Sequence, residues 1–201
     1  WLVKDLIDFP LSEAAIDTFP VPDRAGQATK LCAVITHLPT LQARIFAFEC
    51  LGLQVVSVDI TELALVRLLS DETAPVAMLY AGGDALRVMI VSDGILDMVR
   101  NKEINLVANC SADDFSNDET LILELQRSFD FYQTQKNKPV QKLIIAPSLK
   151  MTKAQLAHLN TQLNLTVETM DAGAFSDDGW SDHVTILGEL KSLCEPDDLP
   201  D

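Results

Sequence analysis

Basic residues are scarce in this sequence. Lysine and arginine together number 15 in 201 residues against 30 aspartates and glutamates, for a formal net charge of -15. So acidic a surface is repelled by phosphate backbones and anionic lipid heads, so neither nucleic acid nor a membrane surface is an expected partner. No run approaches the ~20 apolar residues of a membrane span. No signal peptide is visible either, so no direct membrane insertion by these residues is expected. The four cysteines, Cys32, Cys50, Cys110 and Cys194, lack both metal-ligand spacing and the spacing of a disulfide framework. Cys32, inside Leu31-Cys32-Ala33-Val34-Ile35, reads as a small core hydrophobe, and this usage fits a reducing compartment.

Chemistry-bearing patterns are sparse as well. His37, His158 and His183 are scattered, with no second ligand at helical or loop spacing, so no metal site is expected. No Gly-x-Ser-x-Gly elbow and no Cys-His pair marks a nucleophile. Asp177-Asp178 and Asp197-Asp198 lack the spacing of a calcium loop and read as solvated acidic surface.

Apolar residues, by contrast, make up 48% of the chain, enough for one large core or two small ones. Trp1 to Ile7 reads as the end of a helix that Phe9-Pro10 stops, because a residue before proline avoids the α region. The chain opens at Trp1 without an initiator Met, and the expectation is a piece of a longer protein. Glu13 to Phe19 and Lys30 to Thr36 read as strands. A helix follows from Pro39-Thr40, with Leu41, Ile45 and Phe48 on one face and Gly52 in the C′ position. Leu53 to Val58 reads as a strand, and Asp59 with Glu62 as a capping box opening a helix through Leu63, Val66 and Leu69.

The composition changes at Ser70-Asp71-Glu72-Thr73, the best domain boundary. Behind it, Val76 to Ala81 and Leu86 to Val91 read as strands around the turn Gly82-Gly83-Asp84. Asp93-Gly94 signals a second hairpin leading to Ile95 to Arg100. Ser116 and Glu119 have capping-box spacing before a helix whose stripe is Leu121, Leu125, Phe129 and Tyr132. Lys142 to Ala146 is a strand ended by Pro147. Thr152 and Gln155 cap a helix carrying Leu156, Leu159 and Leu163. Leu165 to Met170 is a strand, and Val184 to Leu193 a closing helix. Three antiparallel strands followed by helix-strand alternation is the order of the ribonuclease-H-like fold. The expected class is therefore α/β, an α+β insert plus a ribonuclease-H-like half, with residues 1–72 as the small subdomain, 73–195 as the larger domain and 196–201 as a disordered acidic tail.

Two stretches are more distinctive than this grammar. Trp1…Lys4-Asp5-Leu6-Ile7-Asp8-Phe9-Pro10 and Glu124-Leu125-Gln126-Arg127-Ser128-Phe129-Asp130-Phe131-Tyr132-Gln133 together resemble the PilM-like proteins of type IV pilus assembly, and among them the branch that serves the mannose-sensitive haemagglutinin (MSHA) pilus. The resemblance runs from Trp1 to about the last helix. It implies an actin-like ATPase fold, here without its N-terminal strands, with residues up to Glu72 as an inserted subdomain. It implies a cytoplasmic scaffold, peripheral to the inner membrane, that binds the cytoplasmic tail of a PilN-like membrane protein and helps link the platform to the assembly ATPase. A homodimer stays open.

Against that resemblance two departures stand out. In actin-like ATPases the hairpin corresponding to Tyr80-Ala81-Gly82-Gly83-Asp84 carries Asp-x-Gly, its carboxylate serving the metal and its backbone N–H groups the phosphate. Here that position falls on Tyr80, and a phenol does not replace a carboxylate on Mg²⁺ at neutral pH. The glycine-rich adenosine turn falls on Ala146-Pro147-Ser148-Leu149-Lys150, which has no glycine to permit close backbone approach. The expectation is a degenerate member with no catalytic residue and no resident cofactor. ATP stays open for a longer chain, as an ATP-dependent switch, and a scaffold resembling the GspL cytoplasmic domain of type II secretion is the other alternative. Phe131 and Trp180 are candidate docking aromatics.

Overall fold

The computed structural model describes residues 4–21, 30–69, 71–82, 85–102, 119–147, 149 and 151–170. The chain forms two compact units, Trp1–Asp59 and Ile60–Asp201.

In the first unit, strand β1 (Ala14–Val21) pairs antiparallel with β2 (Lys30–His37), in register from Ala14 opposite His37 to Val21 opposite Lys30. Helix α1 (Leu38–Cys50) follows β2 directly, with proline in its first turn, where the missing N–H costs nothing. It closes as expected around Gly52, whose φ is +78°. The N–H groups of Gly52 and Leu53 donate to the carbonyls of Glu49 and Phe48 at 2.9 and 3.1 Å, a Schellman closure. Two expectations change. The described part of the opening segment is a 3₁₀ turn, Lys4–Leu6, and a second such turn, Leu11–Glu13, follows Pro10. Leu53 to Val58 has strand periodicity, but it joins no ladder among the described residues.

The second unit opens with helix α2 (Thr61–Leu68). Its N-cap is Ile60, whose carbonyl accepts from Leu63 and Ala64 and whose side chain offers no cap. The helix thus starts one residue later than the Asp59–Glu62 spacing suggests, and Glu62 has a further engagement, described below. Strands β3 (Val76–Gly82), β4 (Ala85–Ser92), β5 (Ile95–Lys102), β6 (Lys142–Ile145) and β7 (Thr166–Thr169) form one sheet in the order β5-β4-β3-β6-β7. β3, β4 and β5 pair antiparallel; β6 and β7 extend the sheet in parallel from β3. The β4–β5 turn has Asp93 at φ +55° and Gly94 at φ +71°, both left-handed as the Asp-Gly pair predicts.

Helices α3 (Glu119–Lys136) and α4 (Lys153–Leu163) complete the described elements. The period-2 rule divides β3 between two cores. Ala77 and Leu79 pack with Leu86, Val88 and Ile90 against Leu121, Leu125, Phe129 and Tyr132 of α3 and Leu159 of α4. Val76, Met78 and Tyr80 pack with Met89, Val91, Ile144 and Ala146 against Leu65, Val66 and Leu69 at α2. A sheet covered on both faces accounts for the continuous apolar runs of β3, β4 and β6. The compact units thus part ahead of α2, whereas the composition break lies behind it, at 70–73. The capping box at α4 forms as read: Thr152 Oγ1 accepts from the Gln155 N–H at 3.3 Å, and Gln155 Oε1 accepts from the Thr152 N–H at 2.7 Å. The helix expected over 184–193, the tail 196–201 and the Ser116 cap lie outside the described residues.

Candidate functional site

The site predicted from sequence is the β3–β4 hairpin and the turn behind β6. The fold brings them together, because β6 lies beside β3 and both Tyr80 and Ala146 are 2% exposed within one core cluster. Gly82 ends β3 opposite Ala85. Gly83, Asp84, Ser148 and Lys150 lie outside the described residues. The Ala146 N–H donates to the Leu79 carbonyl at 2.9 Å, carrying the parallel ladder one step past β6, and the Leu149 N–H donates back to the Ala146 carbonyl at 2.9 Å. The Ala146 N–H is therefore already committed to the sheet and not open to a phosphate.

Tyr80 is engaged as well. Its hydroxyl donates to Glu62 Oε1 at 2.8 Å, and Arg87 Nη1 donates to the same oxygen at 2.8 Å. Arg87 is the cross-strand partner of Tyr80, and Glu62 stands in the first turn of α2. Burial pushes the Tyr80 phenol well above its ordinary value. The Glu62 carboxylate adds to this by hydrogen bond and charge, and Arg87 offsets part of it. The phenol is thus neutral at physiological pH and acts as a donor, the opposite of a metal-binding carboxylate. Arg87 Nε is buried and has no hydrogen-bond partner among the described residues, an unsatisfied donor that costs stability.

Arg87 was not singled out from the sequence, and Glu62 was read only as part of a helix cap. Arg87 could have been found, because pairing Gly82 with Ala85 sets Tyr80 opposite Arg87. Glu62 carries no such signal.

Other sequence candidates are structural. His37 bridges Thr40 Oγ1 at 2.8 Å and Glu13 Oε2 at 3.0 Å, with its ring tilted against Phe9. Among the described residues no cluster of three His, Cys, Asp or Glu could hold a metal. Cys32 is half-buried rather than fully core, and Cys50 is exposed. Phe129 and Tyr132 are core, whereas Phe131 is 46% exposed, with the Arg100 guanidinium 4.7 Å from its ring centre. Trp180, His183, Cys110, Cys194 and the acidic pairs at 177–178 and 197–198 lie outside the described residues. No described helix is long and apolar enough to cross a membrane.

No family model and no curated protein matches the chain. Solved structures do. A structure described as a PilM-PilN type IV pilus biogenesis complex superimposes over 98% of this chain and 71% of that one, with a TM-score of 0.66 at 17% identity. A Bacteroides thetaiotaomicron protein with actin-like ATPase fold and unknown function superimposes over 96% of this chain and 64% of that one, with a TM-score of 0.55 at 12% identity. With the mixed five-stranded sheet and its helices, these likenesses show that the chain has the actin-like ATPase fold.

Proposed function

We propose that this chain is a binding module on an actin-like frame, a PilM-like scaffold of a type IV pilus assembly platform that performs no nucleotide chemistry of its own. The observation that carries the reading is the Tyr80 hydroxyl, neutral and held by Glu62, at the position where nucleotide-using members of the fold are expected to place a carboxylate. The likeness to a chain solved as a PilM-PilN complex supports the pilus assignment. The finer reading is a MshI-like component of the MSHA system, in the cytoplasm and peripheral to the inner membrane. Its partner is the cytoplasmic tail of a PilN-like membrane protein, captured by the first unit. The net charge of -15 suits a basic second partner, the assembly ATPase.

Calorimetric titration of Mg-ATP, and separately of the PilN-like tail peptide, tests this. The expected result is heat from the peptide and none from nucleotide at millimolar concentration. Micromolar Mg-ATP binding would replace the scaffold with an ATP-dependent switch. Binding to the assembly ATPase that does not weaken with salt would remove the electrostatic argument.

A further inference from the structure

The engagement of Glu62 joins three elements at one oxygen. α2 is the first described helix of the second unit and begins at its second residue. Tyr80 and Arg87 stand opposite each other on the two strands of the hairpin, and both donate to Glu62 Oε1 at 2.8 Å. The assembly is part-buried: Tyr80 is 2% exposed, and the Glu62 and Arg87 side chains are 14% and 30% exposed. A charge pair this sheltered is screened far less than a surface pair. Removing one partner of such a group leaves the other desolvated and uncompensated, so the three side chains hold or fail together. In an actin-like site with bound nucleotide, phosphate and metal would tether such a hairpin. Here side chains do so.

We infer that Glu62, Tyr80 and Arg87 form a built-in latch that fixes the first turn of α2 to the β3–β4 hairpin without any ligand. This rests on the reading of the site as one that uses no nucleotide, and it adds a mechanical consequence. The hairpin and the start of α2 move as one body, and a partner bound to this protein meets a single, ligand-independent arrangement there. Glu62 and Arg87 are positioning residues, not catalytic ones. Among the described residues Arg87 Nε finds no partner, so the guanidinium meets the latch through Nη1.

Hydrogen exchange read by mass spectrometry on the whole chain tests the latch, with Glu62→Ala and the milder Tyr80→Phe. Exchange in Thr61–Leu68 and Val76–Gly82 should rise about tenfold or more in Glu62→Ala, and less in Tyr80→Phe, while α3 and α4 stay unchanged. In the wild type, millimolar Mg-ATP should leave both segments unchanged. An even rise across α3 and α4, or no rise at all, overturns the latch and leaves ordinary packing. If Glu62→Ala cannot be purified folded, Tyr80→Phe decides alone. Hairpin protection by Mg-ATP overturns ligand independence. A PilN-like peptide that fails to bind the wild type removes the pilus reading but leaves these exchange patterns where they are, so the two failures are distinguishable.

Discussion

The phenolic hydroxyl of Tyr132 in α3 donates to Asp97 Oδ2 of β5 at 2.7 Å, and Lys136, one turn further along, reaches Asp97 Oδ1 at 2.8 Å. The Asp97 side chain is 8% exposed and Tyr132 is 1% exposed. This carboxylate therefore ties the edge strand to the long helix from within a low-dielectric setting. Asp97→Ala should cost about 3 kcal/mol, since it removes at once the carboxylate that a sheltered ammonium and a buried hydroxyl share. Tyr132→Phe should cost about 2 kcal/mol, because Lys136 still neutralises the carboxylate. Urea midpoints at constant m-value measure both. Equal costs would mean that Lys136 contributes nothing.

Tyr80 makes stability depend on alkaline pH. Its folded-state pKa lies above the unfolded value, so the unfolded chain releases the phenolic proton first. The stabilisation is complete below about pH 10 and is lost as pH rises toward the folded value. Tyr80→Phe removes this dependence. Above pH 10 the wild type should lose stability faster than Tyr80→Phe does in parallel urea titrations. Parallel curves would show that the buried phenol ionises as freely as an exposed one.

The cap of α4 is a local device whose removal should act locally. Thr152→Ala takes away the acceptor for the Gln155 N–H and should cost about 1 kcal/mol. Gln155 is 7% exposed, and its carboxamide oxygen accepts from the Thr152 N–H. Thr152→Ser should therefore restore most of the loss. A serine variant as unstable as the alanine one would mean that the threonine methyl, not the hydroxyl, matters here.

Signals within a few residues of chain were legible in the sequence. Asp93-Gly94 reported its left-handed turn, Thr152 and Gln155 their reciprocal cap, and Leu121, Leu125, Phe129 and Tyr132 their buried stripe, because each is set by backbone geometry or helical period. The succession of three antiparallel strands and then helix-strand alternation followed from these elements. The site was half legible. The Tyr80 substitution was visible as an absent carboxylate, but its partner was not, since Glu62 lies 18 residues away on a helix whose packing no local pattern specifies. Asp59 and Glu62 had the spacing of a cap, but the helix starts one residue later, after Ile60, and Glu62 Oε1 meets Tyr80 and Arg87. Leu53 to Val58 illustrates the converse: periodicity shows what a segment can pair as, and a ladder needs a neighbour.

That segment yields the last prediction. Residues 50–58 carry no charge, and Leu53, Val56 and Val58 are 55%, 80% and 59% exposed. Rich in valine, uncharged and outside any ladder among the described residues, the run has the properties of a template for intermolecular strand pairing, without the lysine or proline that commonly guards such an edge. Val56→Lys replaces an exposed side chain, so it should change the urea midpoint by no more than about 0.5 kcal/mol equivalent. It should also slow aggregation on heating, followed by light scattering. A clear loss of stability in this variant would show that Val56 is covered in solution. Unchanged aggregation would move the liability to another exposed apolar site, such as Phe46 at 65% exposure.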